Sequence, residues 1–315
     1  MRVTERHLKH LAAVVETGSM TEGAALLGLS QPALSRSMSE LETRLGIPLF
    51  KPGRRPLEPT ALGQQLAAHG NVILAATKKA SSVIDGFRGG LAGLVRVGGV
   101  PFFVDALVST MIAAFRQTHP DIRIDLSYGY LPELQAALAA DQLDLAITPA
   151  SKAQRTGPFL FKEVLPARNV VACRAEHPLL RKRGLTAQDL LDFAWIEPPS
   201  GSPLLGDMRS VMLSFGLANA TIGFSGGSLL SVLNYLRETD ALTILPHSVV
   251  FTHRRDRVTV LPVKIARGDR ALGILRRREG SSQPAADRFA SFLAARLHAV
   301  QDAILKHENA IAWGQ

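Results

Sequence analysis

The sequence predicts a chain of three parts: a small helix-turn-helix unit with an extended wing, one long helix, and a larger α/β region. Three observations carry this reading. Residues 1–58 hold short amphipathic segments punctuated by Gly18, Gly28 and Gly46. Residues 62–87 repeat apolar positions by four and three. From Leu91 onward, short apolar runs alternate with helical segments. A chain of 315 residues has room for two domains.

Composition narrows the class. With 46% hydrophobic and 20% charged residues the chain can bury a sizeable core. No apolar run approaches the roughly eighteen residues of a membrane span, and the first residues lack the pattern of a secretory signal. Cys173 is the single cysteine, so an intrachain disulfide and a thiolate metal cluster are excluded, and a reducing compartment fits. The 36 basic and 27 acidic side chains leave a formal charge of +9, which favours polyanionic partners. The excess is spread along the chain, so charge alone points only weakly to nucleic acid.

The first unit spans 1–58. Leu8, Leu11, Ala12 and Val15 recur at helical spacing, and Gly18 ends that helix. Ser19 and Glu22 stand in capping-box relation at the start of a second helix, which Gly28 ends. Ser30 is placed to cap a third helix, with Pro32 in its first turn, where a missing N–H breaks no intrahelical bond. Leu34, Met38, Leu41 and Leu45 form its apolar stripe, while Gln31, Ser35, Ser39 and Glu42 lie mostly away from it. Helix, glycine turn and helix make a helix-turn-helix pattern. The stretch "KPGRRPLEPT" is too proline-rich for a central strand and reads as a basic wing or a solvated loop.

Residues 59–90 read as a linker helix that starts at Pro59-Thr60 and stops at Gly89-Gly90. Leu62, Leu66, Ile73, Ala76, Ala80, Val83 and Phe87 form a seam that calls for a partner helix, either a second copy or the rest of this chain. Gly70 inside this helix costs about 1 kcal/mol relative to alanine.

Beyond Leu91, "LVRVGG", "IRIDLSY", "LDLAITP", "NVVACR", "FAWIEP", "ALTILP" and "ALGILRRR" read as strands separated by helices, which predicts largely parallel sheets. Ligands of such folds lie beyond the carboxyl ends of the strands. The loops to inspect are therefore 98–103, 128–131, 148–150, 198–203 and 223–228.

The run "ETGSMTEGAALLGLSQPALSRSMSELETRLGIPLF" (16–50), the following "PTALG", and "AAFRQTHPDIRIDL", "LDLAI" and "CRAEHPLL" together resemble the LysR-type transcriptional regulator family over nearly the whole chain. The resemblance implies an N-terminal winged helix-turn-helix, a dimerising linker helix, and a C-terminal effector domain similar to periplasmic binding proteins, spanning 91–315. That domain has two lobes: 91–165 plus 267–315, and 166–266. It also implies a cytoplasmic, nucleoid-associated regulator that binds double-stranded promoter DNA, as a homodimer assembling to a homotetramer, with RNA polymerase as a candidate further partner.

On this pattern Ser30, Gln31, Pro32, Ser35 and Arg36 match positions that approach DNA, and Arg54 and Arg55 belong to the wing. Glutamine can pair with adenine, arginine with guanine or phosphate, and proline can touch a thymine methyl. The effector, expected as a small organic acid, would lie between the lobes, near Pro101, Phe102, Tyr130, Thr148, Ser200, Ser202 and Ser225. The chain reads Pro101-Phe102-Phe103 where the family commonly has a polar residue after the proline, so one hydroxyl contact is missing. Phe102 reads equally as ligand wall or core. Ser202 and Ser225 read equally as ligand contacts or helix starts, where free amides favour an anion.

Catalysis finds no support. There is no G-x-S-x-G elbow, phosphate loop, G-x-G-x-x-G fingerprint or H-E-x-x-H pair, and neither cofactor nor metal is expected. Cys173 in "NVVAC" reads as a buried thiol, His177 as a structural turn residue, and the runs 181–183 and 276–278 as solvated or ion-paired arginines and lysine.

Overall fold

The computed structural model describes residues 3–53, 56–88, 93–155, 157–217, 219–266, 268–278 and 283–311. The chain forms two compact units, Met1–Gly93 with Ala139–Gln142, and Leu94–Leu138 with Leu143–Gln315.

In the first unit, α1 (Glu5–Thr17) ends where Gly18 turns left-handed at φ 64°. α2 (Met20–Leu26) starts at Ser19, whose hydroxyl accepts from Glu22 N at 3.4 Å. The Ser19 N–H donates to Thr17 Oγ1 at 3.3 Å, so Thr17 takes the return bond expected of Glu22. α3 (Gln31–Leu45) carries Pro32 in its first turn and stops at Gly46, φ 67°. Leu11, Val14, Leu34, Met38, Leu41 and Leu49 close the core between these helices. The wing begins and ends in a bridge between Phe50 and Pro59, and Lys51 pairs with Glu58 at 3.0 Å.

α4 (Ala61–Arg88) packs against α1. Two glycines let α4 lie close to its neighbours: a Cβ on Gly63 would lie 2.3 Å from the carbonyl oxygen of Leu49, after α3, and one on Gly70 only 2.0 Å from that of Leu8 in α1. Gly70 therefore marks close contact between helix backbones, which its weak helix preference alone did not reveal. Leu62 and Leu66 are half-buried against the unit's own core, the second of the two partners that the seam left open. Ile73 is half-buried and Ala76 and Ala80 are exposed; the side chains of Val83 and Phe87, and the Gly89-Gly90 stop, lie outside the described residues. Val72 and Ile84 are exposed on the same helix, at 47% and 52%, four residues to either side of Ala76 and Ala80.

The second unit has two lobes. The first holds a five-stranded sheet in the order β2-β1-β3-β10-β4, built from β1 (Gly93–Gly99), β2 (Ile122–Tyr128), β3 (Leu145–Ala150), β4 (Phe159–Pro166) and β10 (Ala271–Arg277). β1 and β3 run parallel, but β10 is antiparallel to both β3 and β4. The second lobe holds β5 (Asn169–Arg174) between β8 (Thr243–Pro246) and β9 (Val258–Val260), both antiparallel to it. Beside them lies the parallel pair β6 (Trp195–Glu197) and β7 (Ile222–Ser225), joined to the start of β8 by a bridge from Trp195 to Leu242. The sheets are thus mixed rather than largely parallel. The cause is the chain crossing between lobes twice, after β4 and before β10, so that strands return in the opposite sense.

Helices pack against both lobes' sheets. Pro101–Phe103 (α5), a π-helical stretch Val104–Val108 and Ser109–Thr118 (α6) follow one another without a break after β1. α7 (Leu131–Ala139), α8 (Pro203–Ser214), α9 (Leu229–Glu238) and α10 (His247–Thr252) follow, and α11 (Pro284–Ile311) packs Phe289, Leu293 and Leu297 into the core. The carboxylate of Asp144, just before β3, meets Arg96 of β1 at 2.8 Å with both side chains buried. Among the described residues no helix is long and apolar enough to cross a membrane.

Candidate nucleic-acid interface and ligand cleft

α3 is held from behind by its sequence. Leu34, Ser37, Met38 and Leu41 are buried, and the Ser37 hydroxyl meets His10 Nδ1 at 2.7 Å. Glu42 turns back to accept the Leu49 N–H at 2.7 Å, so it anchors the helix end instead of facing outward. Burial holds the His7 and His10 imidazoles below the ordinary histidine range, with nearby arginines adding to the effect. The opposite face is open. Gln31, Pro32 and Arg36 are exposed, Ser35 is half-buried, and all four share a shallow concave surface with Ser39, Glu40, Thr43 and Arg44. Ser39, Thr43 and Arg44 extend the expected set; their i+4 spacing from Ser35, Ser39 and Glu40 was the available signal.

Ser30 occupies the N-cap position, yet its hydroxyl makes no cap hydrogen bond. The first turn closes instead through its carbonyl, which accepts from Ala33 N and Leu34 N at 3.1 Å. The hydroxyl therefore sits exposed at the positive end of the helix dipole. Arg54 and Arg55 of the wing lie outside the described residues.

Between the two lobes lies a cleft. Pro101, Phe102, Tyr130 and Ser202 line it, as the sequence led us to expect. Thr148 does not: it is fully buried in β3 opposite Gly273, and its hydroxyl donates to the Pro149 carbonyl at 3.3 Å. Ser200 is exposed beside the cleft and is not among its lining residues. Ser225 is exposed as well, donating to Glu197 Oε2 at 3.3 Å. Asn169, Asp207, Pro246 and Arg270 join the lining without having been foreseen. Asn169 and Arg270 stand at the two lobe crossings, so the crossing points themselves were the available signal.

Other singled-out residues have structural partners. His177 caps a short 3-10 turn by accepting from Leu179 N at 3.2 Å. Lys182 pairs with Asp189, and Arg276 with Asp287 at 2.6 Å. Burial of Cys173 pushes its thiol up to about 12. Among the described residues, no cluster of histidine, cysteine and carboxylate side chains is fit to hold a metal.

Residues 5–64 match the bacterial regulatory helix-turn-helix protein family of LysR type, and 88–298 match the LysR substrate binding domain. The chain belongs to the LysR family of transcriptional regulators. As a LysR regulator it is a DNA-binding protein with an effector-binding domain, and not an enzyme. It is 29% identical to the transcriptional regulator GbpR of Azospirillum brasilense, over 79% of this chain and 73% of that one. It is 30% identical to the SDS degradation transcriptional activation protein of a Pseudomonas species, over 78% of this chain and 79% of that one. Crystal structures of the LysR regulator CbnR share its fold. Free CbnR matches at TM-score 0.63 with 20% identity, covering 94% of this chain and 99% of that one. CbnR with its target DNA matches at 0.64 with 20% identity, covering 93% and 100%.

Proposed function

We propose that this LysR regulator reads promoter DNA with the open face of α3 and answers to a small molecule held between the lobes. The observation that carries the DNA reading is the contrast across α3: four side chains sealed in the core, and Gln31, Pro32, Arg36, Ser39 and Thr43 exposed opposite them. Such a helix enters a major groove without exposing apolar surface. Ser30 and Ser35 are short enough to let it approach and meet phosphates, and Arg54 and Arg55 reach the backbone from the wing. Gln31→Ala should cost about 1–3 kcal/mol on the cognate duplex if the side chain pairs with adenine. Titrations on matched and scrambled duplexes test this, and equal losses on both would refute base reading.

Dimerisation runs through α4, on the line Val72, Ala76, Ala80 and Ile84 with Ile73 beside it, four-residue steps that stay on one helix face. Pairs of dimers assemble as tetramers, which space the recognition helices along the DNA. Ile84→Glu places an unpaired carboxylate in that seam and should shift the sedimenting species to smaller size. An unchanged size would locate the interface elsewhere. Control by the cleft requires that its ligand bind two arrangements of the protein with different affinity. The protein acts in the cytoplasm at the nucleoid, with RNA polymerase as the partner reached from bound promoter DNA.

A further inference from the structure

The cleft between the lobes holds its charges as a closed pair. Among the described residues that line it, Asp207 and Arg270 are the charged ones. Arg270 Nη1 donates to Asp207 Oδ2 at 2.6 Å, and the same oxygen accepts from Asn169 Nδ2 at 2.7 Å. Asp207 stands on α8 of the second lobe, Asn169 opens β5, and Arg270 closes the return crossing just before β10. Side-chain exposure of 32% for Arg270 and 24% for Asp207 leaves the pair partly shielded from solvent.

Most of the other donors that an anion would need are absent or occupied. Pro203, the first residue of α8, has no N–H. The Leu204 N–H donates to Ser202 Oγ at 3.3 Å, and the Leu205 N–H to the Ser202 carbonyl at 3.0 Å. The helix start that the sequence marked as an anion site has therefore committed its first amides. Four more prolines, at 101, 149, 199 and 246, line the cleft and remove four further backbone donors. What remains is apolar wall, the Phe102 N–H in the first turn of α5, the hydroxyls of Tyr130 and Ser202, and the Asn169 amide.

Resting on the reading of this cleft as the effector site, we propose that its ligand is uncharged: a compact, largely apolar molecule with a hydroxyl or amide group. The Asp207–Arg270 pair disfavours carboxylates. A carboxylate drawn to the guanidinium enters the field of Asp207, and taking Arg270 away leaves Asp207 with Asn169 alone. An amine drawn to Asp207 meets Arg270 in the same way. A neutral ligand disturbs neither partner.

Calorimetric titration of the full-length protein with benzamide, benzoate and benzylamine, which share one ring, tests this directly. Benzamide should bind about tenfold more tightly than either ion. In Asp207→Asn the guanidinium loses its carboxylate and benzoate should overtake benzamide; in Arg270→Gln benzylamine should do so. Phe102→Ala should weaken every probe alike, which places them in the cleft. Benzoate binding the wild-type cleft as tightly as benzamide would overturn the inference and leave the cleft reading standing. No binding of any probe to the wild-type protein or to either charge variant would sink both.

Discussion

Replacing Gly70 by alanine sets two known effects against each other inside one helix. Alanine in a helix interior is favoured over glycine by about 1 kcal/mol, so on propensity alone the variant gains stability. Its Cβ, however, would lie 2.0 Å from the Leu8 carbonyl oxygen, 2.6 Å from the Leu8 carbonyl carbon and 2.8 Å from the Ala12 Cβ. Two of those three atoms are backbone of α1, so no side-chain rotation relieves the contact. α1 and α4 must move apart by roughly an ångström or more, which puts the overpacking cost at the upper end of its usual range, about 3 kcal/mol. Separation also loosens Leu11 and Ala67, both buried between the helices. The contact wins, and we expect a net loss of about 2 kcal/mol. Gly206→Ala supplies the control. Gly206 lies inside α8, is exposed, and has no atom within 4 Å of the point a Cβ would occupy, so it should gain up to about 1 kcal/mol from propensity alone. Urea unfolding of both variants, followed by circular dichroism, reads the two signs. A Gly70→Ala protein as stable as its parent would refute the close backbone approach of α4 to α1.

Two further predictions concern buried charge. Asp144→Ala removes the carboxylate facing Arg96 at 2.8 Å in a setting where both side chains are under 10% exposed, and should lower stability by about 3–5 kcal/mol in denaturant unfolding; a loss below about 1 kcal/mol would class the pair with exposed ones. The second concerns acid. Burial holds His247 at about 4, with His307 and Arg168 lowering it and Glu308 opposing them, and burial also lowers His7, His10, His177 and His307. Between about pH 6.5 and pH 4 the unfolded chain therefore binds protons that the native state refuses, so stability is complete above that window and falls as pH drops through it. His247→Gln should flatten the pH dependence of the urea midpoint, and an unchanged slope would refute the role of that imidazole.

Much of the fold was legible because it is local. Gly18 and Gly46 ended their helices, Pro32 marked the first turn of α3, and "IRIDLSY" and "NVVACR" coincide with β2 and β5. Capping and side-chain periodicity act within a few residues, so they are written along the chain. β4, β7 and β9 went unmarked: β4 mixes charged with apolar residues, and the other two have only four and three residues. Their pairing depends on neighbours brought up from far away.

The candidate sites divide in the same way. The α3 face could be read from one helical period, and Pro101, Phe102, Tyr130 and Ser202 from the loops that follow strands. Thr148 has the right chemistry at the right loop, yet its position in β3 turns it into the core. Leu62 and Leu66 have the spacing of a seam, but both pack partly against the unit's own core. Only the tertiary structure could join Asn169, Asp207 and Arg270, which no local pattern relates, into one hydrogen-bonded group at the lobe crossings. Helix ends and face periodicity are decided by atoms a turn apart; strand direction, the partner of a charge and the space beside a glycine are decided by which distant segment the chain brings back.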